Sequence, residues 1–217
     1  MNLFQALPYL SAVAALLTLW RVAVDPDAIA TRVLRVVAVG LLAAFAFGRG
    51  TAPSTLSAAL VLSAVAHLIP PRIDPQWRTG SDFAAVLAAM LFGFLFFKDG
   101  PGLQSLHEAA RWPLILLGAG VAAALLAFGF GLRRRSDVEA HHRPPDFEAG
   151  GLALMALTAA TLRFDHWPAM AGALAYIAAQ TAAGLAAQRG ATPRWLPPAW
   201  WALSFAGEAA IAWPFLR

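Results

Sequence analysis

Four polar side chains sit inside otherwise apolar stretches and are the first candidates for chemistry. Glu208 lies near the middle of PAWWALSFAGEAAIAWPFLR, residues 198–217, with Ser204 one helical turn earlier on the same face. His67 falls late in TLSAALVLSAVAHLIPP, residues 55–71, with Ser63 four residues before it. If both stretches cross a bilayer as helices, an ionisable group there is expensive. Insertion scales put Asp, Lys or Arg at a helix centre at about 2.5–3.5 kcal/mol, so a group that stays needs a reason. A carboxyl can donate a proton or hold a negative charge, and an imidazole can act as acid or base. The structural alternatives are a Glu208 hydrogen-bonded to a neighbouring helix and a His67 at the wet end of its own.

A second group, Glu139, His141, His142, Asp146 and Glu148, offers ligand types for a divalent cation. Its spacing fixes no common face: adjacent histidines point different ways, and the arginines of LRRRSDVEAHHRPPDFE oppose a cation. It reads as a solvated loop, and no metal or other cofactor is assigned. The sequence has no Walker A loop, GxSxG elbow, HExxH helix or Rossmann fingerprint. The absence of cysteine removes thiolate nucleophiles, disulfides and zinc–thiolate sites.

The elements that must position these residues follow from composition. Of 217 residues, 59% are hydrophobic and 13% charged, and the mean hydropathy is +0.63. A soluble domain is nearer ~45–50% apolar and ~25% charged. The expected fold class is all-α, a polytopic transmembrane bundle. Apolar runs at about 1–20, 31–48, 54–70, 80–97, 113–131, 149–164, 168–187 and 198–216 give eight spans. The first is read as a retained helix, because it lacks the basic start of a secretory signal. A single membrane domain is expected over 1–217, with a five-helix part at 1–131, a basic loop at 132–148 and a three-helix part at 149–217. Boundaries are set by Asp25-Pro26, Pro70-Pro71, Gly100-Pro101, Pro144-Pro145 and Pro197-Pro198.

The formal charge of +4 would suggest nucleic acid in a soluble chain. Here the cations sit in short connections and serve orientation, so no nucleic-acid partner is expected. In the eight-span topology 11 of the 16 Lys and Arg residues fall on the side of the 132–148 loop. That side is expected to face the cytoplasm of a bacterial inner membrane, with both termini periplasmic. Trp167, Trp195, Trp200, Trp201 and Trp213 lie near span ends and read as an interfacial belt. Ala175, Ala179, Ala183 and Ala187 recur every four residues as a packing ridge, and Gly118 and Gly120 read similarly in the fifth span.

Several of these segments resemble the YhhN family of lysoplasmalogenase-like membrane proteins. They are the run Ala59 to Leu68, Arg35 opening a helix before VVAVGLLAAF, the block Ala149 to Phe164 ending in Arg163-Phe164, and Tyr176 with Gln180 as Tyr-x-x-x-Gln. The similarity extends over most of residues 30–187. It implies an eight-helix bundle around a lipid cavity, with Ser63, His67, Tyr176, Gln180, Ser204 and Glu208 as candidate lining residues. The chain departs from the pattern at two acids. Where the family's third helix carries Gly-Asp, this chain has Ala66-His67, and no acidic residue occurs from 149 to 164.

The family's reaction, hydrolysis of a vinyl ether, protonates carbon to give an oxocarbenium-like species that water captures. Paired carboxyls divide that work as they do at a glycosidic bond. With both replaced, the resemblance implies a catalytically impaired protein that binds membrane lipid or serves as an accessory subunit of a larger membrane complex. The alternative is an active ether-lipid hydrolase with a relocated pair, His67 and Glu208. A transporter is a weaker reading, because a five-plus-three division does not suggest matched halves.

Overall fold

The computed structural model describes residues 3–26, 28–49, 54–68, 75–99, 111–135, 145–189 and 193–216. Among these there are eight α-helices and no strand. They are α1 (Leu3–Val24), α2 (Ile29–Gly48), α3 (Ser54–Leu68), α4 (Pro75–Asp99), α5 (Trp112–Arg135), α6 (Pro145–Ala159), α7 (Trp167–Arg189) and α8 (Leu196–Ala212). Single 3₁₀ turns at Phe164–His166 and Trp213–Phe215 precede α7 and follow α8.

Prolines that read as stops in the sequence open helices instead. Pro145 begins α6, and Pro197 and Pro198 are the second and third residues of α8; Pro75, which is not among the expected boundaries, begins α4. A first-turn N–H has no intrahelical partner, so proline loses nothing there. One consequence falls on the 132–148 segment. Helix α5 runs on to Arg135 and α6 begins at Pro145, so both ends of the expected loop are helical. Glu139, His141 and His142 lie outside the described residues. The sixth apolar run is displaced as well: α6 ends at Ala159 rather than near 164.

Gln5–Val24, Ile29–Gly48 and Trp112–Gly129 are long and apolar enough to cross a membrane, and Ser54–Leu68, Phe83–Lys98 and Glu148–Ala159 are shorter apolar helices. At 1.5 Å per residue a 15-residue helix such as α3 spans about 22 Å, short of a ~30 Å hydrocarbon core. The exterior is apolar: Phe47, Ile29, Leu16 and Leu116 are 80%, 77%, 67% and 64% exposed. The interior is filled largely by small residues, with Ala38, Ala59, Ala88, Ala169, Ala173 and Ala179 fully buried. Large apolar groups outside and alanine inside is the distribution expected when lipid is the solvent and close backbone packing drives association. These apolar helices mark a membrane protein.

Neighbouring helices form a closed ring in the order α1, α2, α3, α4, α6, α7, α8 and back to α1, with α5 packed chiefly on the outside of α6. Polar groups pin the ring where helices meet. Ser11 donates to the Ala38 carbonyl at 2.6 Å between α1 and α2, and Arg111 donates to Thr161 O at 3.3 Å just beyond the end of α6.

The glycines of α5 behave differently from one another. A Cβ on Gly118 would lie 2.5 Å from Ala160 Cβ and 3.1 Å from the Ala156 carbonyl, whereas one on Gly120 meets nothing within 4 Å. Gly118→Ala is therefore expected to destabilise the bundle by about 1–3 kcal/mol through overpacking. Gly120→Ala gains about 1 kcal/mol of helix propensity. Melting of the two variants in the same detergent checks the opposite signs.

Candidate functional site

Helix α8 presents one buried face. Trp201, Ser204, Glu208 and Ile211 are 1%, 0%, 0% and 0% exposed, and their spacing of three and four residues places them in a single stripe. The stripe faces across the ring toward α3. There Ser63 and His67, one turn apart, are also buried. The Ser63 hydroxyl donates to Glu208 Oε1, joining the two helices at their most polar point. His67 sits edge-on to two indoles, with ring centroids 5.5 Å from Trp200 and 5.4 Å from Trp201. The Arg35 guanidinium, from α2, lies 5.2 Å from the Trp200 ring and 5.8 Å from the Trp201 ring. Trp201 is held from its other side by a 3.1 Å hydrogen bond from its Nε1 to Ala15 O on α1.

The structure thus brings Ser63, His67, Ser204 and Glu208 into one seam between α3 and α8. Tyr176 and Gln180 stand elsewhere. With Glu148 and Leu152 of α6 and Val86 of α4, they line a separate cavity of about 10 Å³, near the smallest volume that holds a water molecule. The Tyr176 ring packs edge-on against Phe92 at 6.1 Å. The six lipid-cavity candidates therefore divide into two polar centres.

Trp200 and Trp201 correct the sequence reading. Trp167, Trp195 and Trp213 are 65%, 66% and 55% exposed, as belt residues should be. Trp201 is buried and Trp200 partly buried against the site. The reason is position: a tryptophan on the Ser204–Glu208 face goes inward even near a helix end. Arg35, read in the sequence only as an orientation charge and a helix-opening residue, joins them by cation–π contact. The signal that would have found Trp201 is its stripe spacing with Ser204 and Glu208. Nothing local in α2 foretells Arg35.

Chemically the seam holds one carboxyl, one imidazole and two hydroxyls. Among the described residues Glu208 is the only buried acid. His67 Nε2, Trp200 Nε1, Ser204 Oγ and Glu208 Oε2 are shielded from solvent and have no hydrogen-bond partner within the protein. Among the described residues no cluster of three or more His, Asp or Glu groups is placed to hold a metal. No protein-family model, curated protein or solved structure matches the chain.

Proposed function

We propose that this membrane protein is a YhhN-like, eight-span lipid-binding protein of the bacterial inner membrane, impaired as a vinyl-ether hydrolase and acting as an accessory subunit of a membrane complex. The observation that carries the reading is the single buried acid of the α3–α8 seam. Division of labour at an oxocarbenium needs a proton donor and an anion together. With Glu208 as the only buried carboxyl among the described residues, whichever task it takes leaves the other to His67, and an imidazole cannot supply negative charge. General acid catalysis contributes typically 10²–10⁴-fold, so aldehyde release should stand near background. The charge asymmetry of the connections favours both termini on the periplasmic side. The broad apolar exterior suits contact with lipid or with another membrane helix.

A second reading has one observation in its favour. Ser63 bonds Glu208 and lies one turn from His67, which keeps both ionisable groups of the alternative, active hydrolase on one seam. A single experiment separates the two. The protein is purified in mild detergent, its retained lipid and co-purifying chains are identified by mass spectrometry, and aldehyde release from a vinyl-ether lysophospholipid is measured. Retained lipid with background release, unchanged in Glu208→Gln and His67→Ala, is the expected result. Rapid release that both substitutions abolish overturns it in favour of the hydrolase.

A further inference from the structure

Four orphaned polar atoms on one seam require a physical account, because each buried unsatisfied group costs roughly 1–3 kcal/mol. They are not scattered. On α8, Glu208, Ser204 and Trp200 follow one another at intervals of four residues, and each carries an unpartnered atom. On α3, Ser63 is bonded to Glu208, and His67, one turn farther along, carries the fourth. His67 also faces Trp200 and Trp201, so the two helices run antiparallel along this seam and their polar groups advance in the same direction. Four residues of helix rise about 6 Å. Two hydrogen bonds of ~2.8 Å in line through one water span nearly the same distance. The rise from one of these residues to the next is thus close to the span of one bridging water, and each of them carries an unpartnered atom.

We infer that the α3–α8 seam is a single-file water path about 12 Å long. It leads from the end of the bundle where α3 terminates to the carboxyl of Glu208, which it supplies with protons from that side alone. The opposite direction is closed. Beyond Glu208, α8 continues with Ile211 and Ala212, both fully buried, and the α7 backbone lies directly against Gly207. The step is proton exchange without redox chemistry: a hydronium at the outer end gives its proton to the chain, the last water gives one to the Glu208 carboxylate, and water is left behind.

The charged and titratable groups that face the path are His67 from α3 and Arg35 from α2; α7 meets α8 here through the backbone and Cβ of Tyr176 against Gly207, while the Tyr176 ring lies on Phe92. The Arg35 charge, spread over the two indoles at the outer end, repels metal cations and slows proton arrival. The path accordingly suits exchange at one carboxyl rather than flux across the membrane. It is a property of the helical seam and goes beyond the lipid-binding reading, since it requires no lipid.

Radiolytic hydroxyl labelling of the purified full-length protein tests this inference, because internal water generates the radical beside the side chains it touches. His67 and Trp201 are expected to label at least about tenfold faster than Tyr176 and Phe92, which are buried as Trp201 is. A dry residue reacts only through local opening, and about 1.4 kcal/mol of opening cost is already a factor of ten. Ser204→Val, which removes the middle hydroxyl at similar volume, should bring both labelling rates down toward those of Tyr176 and Phe92. Labelling of His67 and Trp201 at the rate of Phe92 in the unsubstituted protein overturns the path. So does a Ser204→Val variant that labels unchanged while remaining folded by its melting profile. A Ser204→Ala variant, which leaves room for water, retains fast labelling and shows that a loss in Ser204→Val is not a folding defect.

Discussion

Gly207→Val is expected to leave no folded bundle. A Cβ on Gly207 would lie 2.8 Å from the Gly172 carbonyl and 3.0 Å from the Tyr176 backbone nitrogen. One on Gly172 would lie 2.5 Å from the Gly207 carbonyl and 2.9 Å from the Ile211 nitrogen. All four obstacles are backbone atoms of helices, which cannot rotate aside as a side chain can, so relief requires α7 and α8 to separate along their length. Overpacking a well-packed core costs about 1–3 kcal/mol and occasionally more. This interface is among the most extensive in the ring. On propensity alone, glycine to alanine in a helix gains about 1 kcal/mol, so the sign of the effect decides between contact and propensity. Gly172→Ala and Gly207→Ala should each lower the melting temperature in detergent. Together they should cost less than their sum, because helices already parted for one methyl accept the second. A Gly207→Val protein that purifies as a monodisperse species and melts with the unsubstituted chain would refute the close contact.

Trp201→Ala is expected to be nearly as severe. The side chain is 1% exposed, stacks on Phe205 with ring centroids 5.6 Å apart, meets His67 edge-on and donates to Ala15 O. Truncating a buried tryptophan costs about 3–5 kcal/mol in transfer and cavity energy. Trp201→Phe keeps most of the packing and gives up the hydrogen bond, for a loss of about 1 kcal/mol. Trp195→Ala, at a side chain 66% exposed, should stay within about 0.5 kcal/mol of the unsubstituted protein. Unfolding followed by tryptophan fluorescence orders the three. Equal losses at Trp195 and Trp201 would contradict the burial of α8.

The apolar runs made the eight helices legible because helix-forming stretches in a membrane protein are long and poor in charge. Their ends were harder. At α6 and α8 the prolines that mark boundaries sit inside the first turn rather than before it, and residues 145–148, polar in sequence, extend α6 backwards. The Ser63–Glu208 meeting was half visible. Both residues declared themselves as polar groups in greasy surroundings, yet only tertiary packing decides that they touch across 145 positions. The alanine ridge of α7 shows the same division. Ala179 is fully buried and Ala175 partly so, but the tightest approach is at Gly172, three residues before the ridge begins. Sequence periodicity finds a face, while the point of closest contact depends on the crossing position of a partner helix. Arg35 was silent for a related reason: its stacking on Trp200 and Trp201 joins α2 to α8, helices far apart in sequence whose meeting only tertiary packing decides.

The closed ring has a consequence for biogenesis. Helix α8 touches α7 and α1 and reaches across to α3, so the circle remains an open arc until α8 has emerged from the ribosome and partitioned into the bilayer. Seven helices therefore precede α8 with Ser63 and His67 unmatched, and the carboxyl of Glu208 arrives last to meet them. A chain stalled before α8 would expose that polar strip to lipid, giving quality-control proteases a recognisable mark of incomplete assembly.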